Sequence, residues 1–173
     1  MRRLFSYGAI LFRRERGKIL FLLLDHGTHW GFPKGLAESD ESMEETVRRE
    51  VEEETGITRL KFLGFKKRIS WAFKEKGKVV GKDATFVLAE TKEKKIKLSG
   101  EHVGFRWCAF EEALRLVKFK NAKEMLEEAH IFLEGKVKIK ENVKALFGSV
   151  QCSKPTKQLL KEARKELKSK YCL

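Results

Sequence analysis

No apolar run in this chain is long enough to cross a bilayer. The longest, residues 19–24, is six residues, where a spanning helix needs roughly twenty. The start, Met1-Arg2-Arg3 followed by the apolar residues 4–12, has the outline of a signal peptide. Arg13-Arg14-Glu15-Arg16 follows at once with no small-residue cleavage site, so the segment reads as a first β-strand and the chain as cytoplasmic. Cysteine is also sparse. Cys108, Cys152 and Cys172 are odd in number, match no metal-ligand spacing and read as unpaired thiols, with a Cys152–Cys172 bridge left open. Asparagine and glutamine are scarcer still, confined to Asn121, Asn142, Gln151 and Gln158.

What is there is charge on an ordinary globular background. Apolar residues make up 42% and charged residues 36% of 173, which suits one domain with a full core and excludes a disordered chain. The formal net charge is +13. Residues 135–173 hold eleven Lys and Arg against three Glu, a local charge of +8. A basic surface attracts polyanions, nucleotides and nucleic acid included. Abundant Lys and Glu beside few Asn and Gln equally describe the surface of a heat-adapted, thermophile protein. Composition alone does not choose between the two.

No internal repeat is visible at periods of 20 to 50 residues. Residues 5–12 and 18–25 read as strands around the polar turn 13–17. Residues 30–35 read as a loop, marked by two glycines and Pro33. A helix is predicted from 42 to 55. Ser42 and Glu45 have the spacing of a capping box, Gly56 stops the helix, and Met43, Val47 and Val51 form its apolar stripe. Strands follow at 60–73, 79–90 and 103–110, then helices at 111–117 and 122–133. Beyond Pro155, residues 156–170 read as a lysine-rich helix with Leu159, Leu160, Ala163 and Leu167 on one face. The fold class is α/β (α+β): a mixed β-sheet sandwiched between helices, with a helical C-terminal extension. The domain boundary is placed between 1–134 and the basic tail, 135–173.

The 42–55 helix is unusually acidic. Glu50, Glu53 and Glu54 stand at i, i+3 and i+4, so their carboxylates share one face. They repel one another and lie near the C-terminal end, where the helix dipole disfavours anions. A solvated acidic face is one reading of that pattern alone. The other is a divalent cation, and oxygen ligands without nearby His or Cys suit Mg2+ or Mn2+ rather than zinc.

The surroundings decide between them. From Gly35 the chain runs five residues to Glu41, seven more, then Arg49-Glu50-Val51-Glu52-Glu53-Glu54-Thr55-Gly56-Ile57. The segment resembles the Nudix box, G-x5-E-x7-R-E-U-x-E-E-x-G-U with U aliphatic, at every specified position and in the loop–helix setting that motif requires. The resemblance implies a Nudix hydrolase, in which a loop–helix–loop packs on a mixed sheet. It implies that Glu50, Glu53 and Glu54 bind divalent ions with the Gly35 carbonyl, while Arg49 and Glu41 hold the loop and orient those carboxylates.

Beyond the box, residues 5–133 resemble the asymmetrical diadenosine tetraphosphate hydrolases of that superfamily. The similar segments include residues 8–13, His29-Trp30-Gly31-Phe32-Pro33-Lys34-Gly35, Gly64-Phe65-Lys66-Lys67, Leu98-Ser99-Gly100-Glu101-His102, Phe105-Arg106-Trp107, Glu111-Glu112-Ala113, Phe119-Lys120 and 129–133. The resemblance makes Glu101 a further carboxylate of the metal site or the base, and puts His29 and Lys34 on phosphate oxygens. Trp71 stands where that family usually has an adenine-stacking tyrosine, with Lys74 just after it, and Phe119 stands where a second ring contact is expected. Trp71 and Phe119 also read as ordinary core aromatics; Trp30 and Trp107 are assigned to the core. The implied reaction is metal-dependent hydrolysis of a phosphoanhydride bond in a nucleoside polyphosphate, diadenosine tetraphosphate giving ATP and AMP. Other Nudix substrates stay open: an RNA 5′-triphosphate end, with RNA contact through the basic tail, a nucleoside triphosphate, or ADP-ribose. A rival of another class is a non-catalytic nucleotide- or RNA-binding protein on the same fold, which would be expected to lack box glutamates. The sequence fixes no oligomeric state.

Overall fold

The computed structural model describes residues 3–75 and 78–147, with side chains for 4–72 and 79–135. The predicted helix at 156–170, Cys152 and Cys172 lie outside the described residues. Among the described residues, seven strands and three helices follow in the order β1 (Arg3–Glu15), β2 (Lys18–Asp25), β3 (Trp30–Gly31), β4 (Lys34–Leu36), α1 (Met43–Thr55), β5 (Lys61–Glu75), β6 (Lys78–Glu90), β7 (Gly104–Cys108), α2 (Phe110–Leu116) and α3 (Lys120–Phe147).

The strands make one mixed sheet in the order β3-β2-β1-β6-β5, with β4 also on β1 and β7 on β2. β1 and β6 pair in parallel from Arg3–Gly81 to Phe12–Glu90, while the other pairings are antiparallel. Both faces of the central strands are covered. Ile10, Phe12, Phe21 and Leu23 pack with Met125, Leu126, Ala129 and Leu133 of α3, and Ala9, Leu11, Leu22 and Leu24 pack with Val47, Val51 and Ile57. That burial on two sides is why β1 and β2 read as near-continuous apolar runs instead of alternating ones. Each fully buried Leu or Phe there contributes roughly 1.5–3 kcal/mol.

α1 forms where its caps place it. The Ser42 hydroxyl accepts from the Glu45 N–H at 3.3 Å, the Glu45 carboxylate accepts from the Ser42 N–H at 2.8 Å, and Gly56 closes the helix at φ 70°. Two expectations need correction. The loop predicted at 30–35 contains two short strands flanking Phe32-Pro33. Pro33 cannot donate to a ladder, but its carbonyl accepts from the Ala9 N–H at 3.0 Å, so the segment is held to β2 before the proline and to β1 from the proline onward. The helix predicted to stop at Leu133 runs on to Phe147. Gly135 interrupts it at a cost of only about 1 kcal/mol, which a composition break overstates. By contacts the chain divides into two compact units, 1–133 and 134–173.

Candidate active site

Gly35 is the hinge of the site. It sits in β4 opposite Tyr7 of β1, and the carboxylate of Glu50 lies directly against its Cα, where a β-carbon would fall inside that carboxylate. Gly8 of β1 makes the strand approach possible: a β-carbon there would collide with the Pro33 carbonyl, Lys34 and Phe86. Two glycines thus let β4 lie flat on β1 while α1 presses a carboxylate onto the Gly35 backbone.

Arg49 organises the acidic groups. Its Nε and Nη2 grip Glu41 at 2.6 and 2.9 Å, its Nη1 donates to Glu50 at 2.8 Å and to Glu53 at 3.2 Å, and its Nη2 also reaches the Leu36 carbonyl at 3.0 Å. Glu41 accepts further from Thr46 and from the Glu38 N–H. The paired Arg49 guanidinium holds the Glu41 carboxyl down at about 2, and Glu41 chiefly raises Arg49 in turn.

The three helix glutamates share a face but not an environment. Glu50 and Glu54 are buried, at 9% and 7% exposure, whereas the Glu53 side chain is 59% exposed. Burial, opposed by Arg49, pushes the Glu50 carboxyl up. Burial also pushes Glu54 up to about 8, with Glu50 and Glu101 adding to it and Lys34 opposing. The Lys34 backbone N–H donates to Glu54 Oε2 at 3.3 Å. Glu101 occupies the exposed turn before β7.

A cavity of about 510 Å³ opens beside this acidic group. His29, Lys34, Trp71, Lys82 and Phe119 are among its lining residues, and the box glutamates are not; Lys34 is shared between the two. Trp71 is half-buried, and Lys82 stands over its ring at 5.9 Å. Phe119 is 49% exposed and meets the His29 ring edge-on at 5.2 Å. Lys74 lies in β5, paired with Val79, and its side chain is outside the described residues. Trp107 packs against the core as expected, and Trp30 does so while also lining the cavity. Sequence reasoning missed His26, His102 and Lys82. A lone lysine in a lysine-rich chain carries no local signal, and the histidines matter only through neighbours distant in sequence.

Among the described residues, no three His, Cys, Asp or Glu side chains converge as they stand on a point that would hold an ion. The donor chemistry nonetheless fits a divalent cation. Glu50 and Glu54 are buried with their charges opposed by burial and by each other, Glu101 adds to that repulsion on Glu54, and Gly35 leaves the space in which Glu50 lies. A cation would offset that repulsion, and oxygen-only donors suit a hard one.

The profile of the NUDIX domain matches residues 3–129. The chain belongs to the Nudix family. Its Nudix box is the β4–α1 unit described above, and its sheet is the Nudix sheet. The chain is 39% identical over 140 residues to the mouse (Mus musculus) asymmetrical bis(5′-nucleosyl)-tetraphosphatase, a match that covers 73% of this chain and 92% of that protein. The corresponding protein of Caenorhabditis elegans is 31% identical over 74% of this chain and 95% of its own length. The crystal structure of a C. elegans Ap4A hydrolase binary complex superposes with a TM-score of 0.67 at 29% identity, covering 76% of this chain and 98% of that one. The E. coli dihydroneopterin triphosphate pyrophosphohydrolase, at 17% identity and a TM-score of 0.60, shares the fold.

Proposed function

We propose that this Nudix hydrolase cuts a phosphoanhydride bond in a nucleoside polyphosphate, with diadenosine tetraphosphate the preferred substrate and ATP and AMP the products. One observation carries the reading. The cavity that joins the box through Lys34 carries two exposed or half-exposed aromatics, Trp71 and Phe119, beside basic groups. That arrangement suits flat bases with phosphates between them and the carboxylates. The similarity to the mouse and nematode tetraphosphatases over nearly their whole length supports it.

In this reading Glu50, Glu53, Glu54 and Glu101 with the Gly35 carbonyl would hold Mg2+ or Mn2+, which neutralises phosphate charge and makes a bound water more acidic. Arg49, itself held by Glu41, sets the directions of the Glu50 and Glu53 carboxylates. Lys34 and His29 take phosphate oxygens, and Lys74 assists at the end of β5. Trp71 and Phe119 take adenine rings. Glu50 or Glu101 accepts the proton of the attacking water. The test is a panel of diadenosine tetraphosphate, ATP, ADP-ribose and triphosphorylated RNA in heavy-oxygen water. We expect the highest kcat/KM for diadenosine tetraphosphate, with the label in AMP. A better rate on ADP-ribose or RNA sinks the substrate assignment and leaves the hydrolase reading standing.

The buried carboxylates give a pH signature. Glu54 binds its proton more tightly in the folded chain, at about 8 against 4.5 in the unfolded chain. Its stabilising effect is therefore complete below about pH 4.5 and is lost as the pH rises through about 8. A bound divalent cation replaces the proton. The increase in Tm caused by Mg2+ should be small near pH 5 and grow through pH 8, read by thermal melts across that range. A flat or falling increment would show that Glu54 is not a ligand.

Every residue assigned above precedes Lys120, so hydrolysis should not need the basic tail at 135–173 chemically, and RNA contact through it is an alternative role. Truncation after Gly135 should keep measurable hydrolysis of a small nucleotide and lower Tm; if the tail instead recruits RNA, its removal should spare the fold and sharply reduce salt-sensitive RNA binding. A truncated protein that is folded but inert would show that the tail completes the active site.

A further inference from the structure

A column of three imidazoles links the buried carboxylate to the mouth of the cavity. The side chain of His102 is only 2% exposed, and its Nε2 lies 3.3 Å from Glu54 Oε2. The approach is close but off the line a hydrogen bond needs, so both ring nitrogens remain buried without a hydrogen-bond partner. His26 stands edge-on to His102, with ring centroids 4.6 Å apart at 83°. It stacks flat on His29 at 4.8 Å and 10°, and His29 in turn meets Phe119.

A buried imidazole with neither nitrogen paired is costly. The carboxylate oxygen beside Nε2 offers the means to remove the part of that cost that belongs to Nε2. We propose that His102 is a positioning residue for Glu54. A small turn of the ring brings Nε2–H onto Oε2, the oxygen that already accepts from the Lys34 N–H. Two donors on Oε2 leave Oε1 as the oxygen free to face the cation. His26, packed edge-on against the ring, restrains how far the imidazole can swing. Partners of this kind around a metal-binding carboxylate are worth roughly 10- to 100-fold in affinity or activity.

This inference rests on Glu54 being a cation ligand, and the experiment separates the two claims. Mn2+ affinity is measured by calorimetry on the full, substrate-free chain for wild type, Glu54→Gln, His102→Phe and His102→Gln. Both Glu54→Gln and His102→Phe should weaken Mn2+ about 10- to 100-fold, while His102→Gln, whose amide donates from nearly the same place, should stay within about threefold of wild type. For His102→Phe the loss in kcat should recover at saturating Mn2+, with KM for the nucleotide unchanged. Normal Mn2+ binding by His102→Phe, beside weakened binding by Glu54→Gln, would overturn the positioning role and spare the metal reading. Normal binding by both would overturn the two together. If His102→Gln is as weak as His102→Phe, the ring's packing and not its N–H is what matters, and the proposal is wrong. Should His102→Phe fail to fold, His102→Met supplies the apolar replacement.

Discussion

Glu53→Gln and Glu54→Gln should each retain less than about a tenth of wild-type turnover at saturating Mg2+ while remaining folded. The two substitutions are isosteric, so each removes a charge and keeps a shape. A tenfold loss corresponds to about 1.4 kcal/mol of transition-state stabilisation, well within what a catalytic metal site supplies. The two variants should separate in stability. Glu53 is largely exposed and touches Arg49 at 3.2 Å, a surface pair worth little, so its Tm should barely move. Glu54 is buried, with its carboxyl pushed up to about 8. A neutral amide there should raise the metal-free Tm above pH 8, because it removes a charge that burial opposes. A protein made more stable and nearly inactive by one atom's change is the behaviour of a ligand held in place against its own desolvation. Turnover above a tenth of wild type in either variant, measured with product identification, would count against its role.

Trp71→Ala should lower kcat/KM for diadenosine tetraphosphate by roughly tenfold to a hundredfold, from the loss of about 1–3 kcal/mol of stacking on one base. Trp71 packs partly against the core beside Ile69 and Phe65, so truncation also removes core contact, and a control is needed. Trp71→Phe keeps a ring in the cavity and should stay within several-fold of wild type. Hydrolysis of ATP, which offers one base instead of two, should fall less than hydrolysis of the dinucleotide in the same Trp71→Ala protein. If both substrates lose activity equally, the tryptophan supports the cavity wall and does not grip the second base.

Local chemistry made much of the fold legible. The Ser42–Glu45 box and Gly56 set the limits of α1 because caps act within one turn, and the strands at 5–12, 18–25, 60–73 and 79–90 show in their apolar runs. The brief strands at 30–31 and 34–36 did not show, since two or three residues carry no period and Pro33 reads as a loop. The continuation of α3 past Gly135 was hidden for the opposite reason: one glycine weakens a helix without ending it.

The spacing of Gly35, Glu41, Arg49, Glu50, Glu53 and Glu54 is a property of one contiguous loop and helix, and for that reason it is legible in the chain alone. How those groups differ comes from the packing around them. Helical spacing makes the three carboxylates equivalent, but the close approach of β4 to β1 buries Glu50 against Gly35, and the β4 backbone and His102 meet Glu54, while Glu53 stays in solvent. The cavity walls are likewise tertiary. Trp71 comes from β5, Lys82 from β6, and His26, His29 and Phe119 from connecting segments. Residues so far apart in the chain meet only because a mixed sheet covered on both faces brings its strands side by side, and no local pattern records who will be the neighbour.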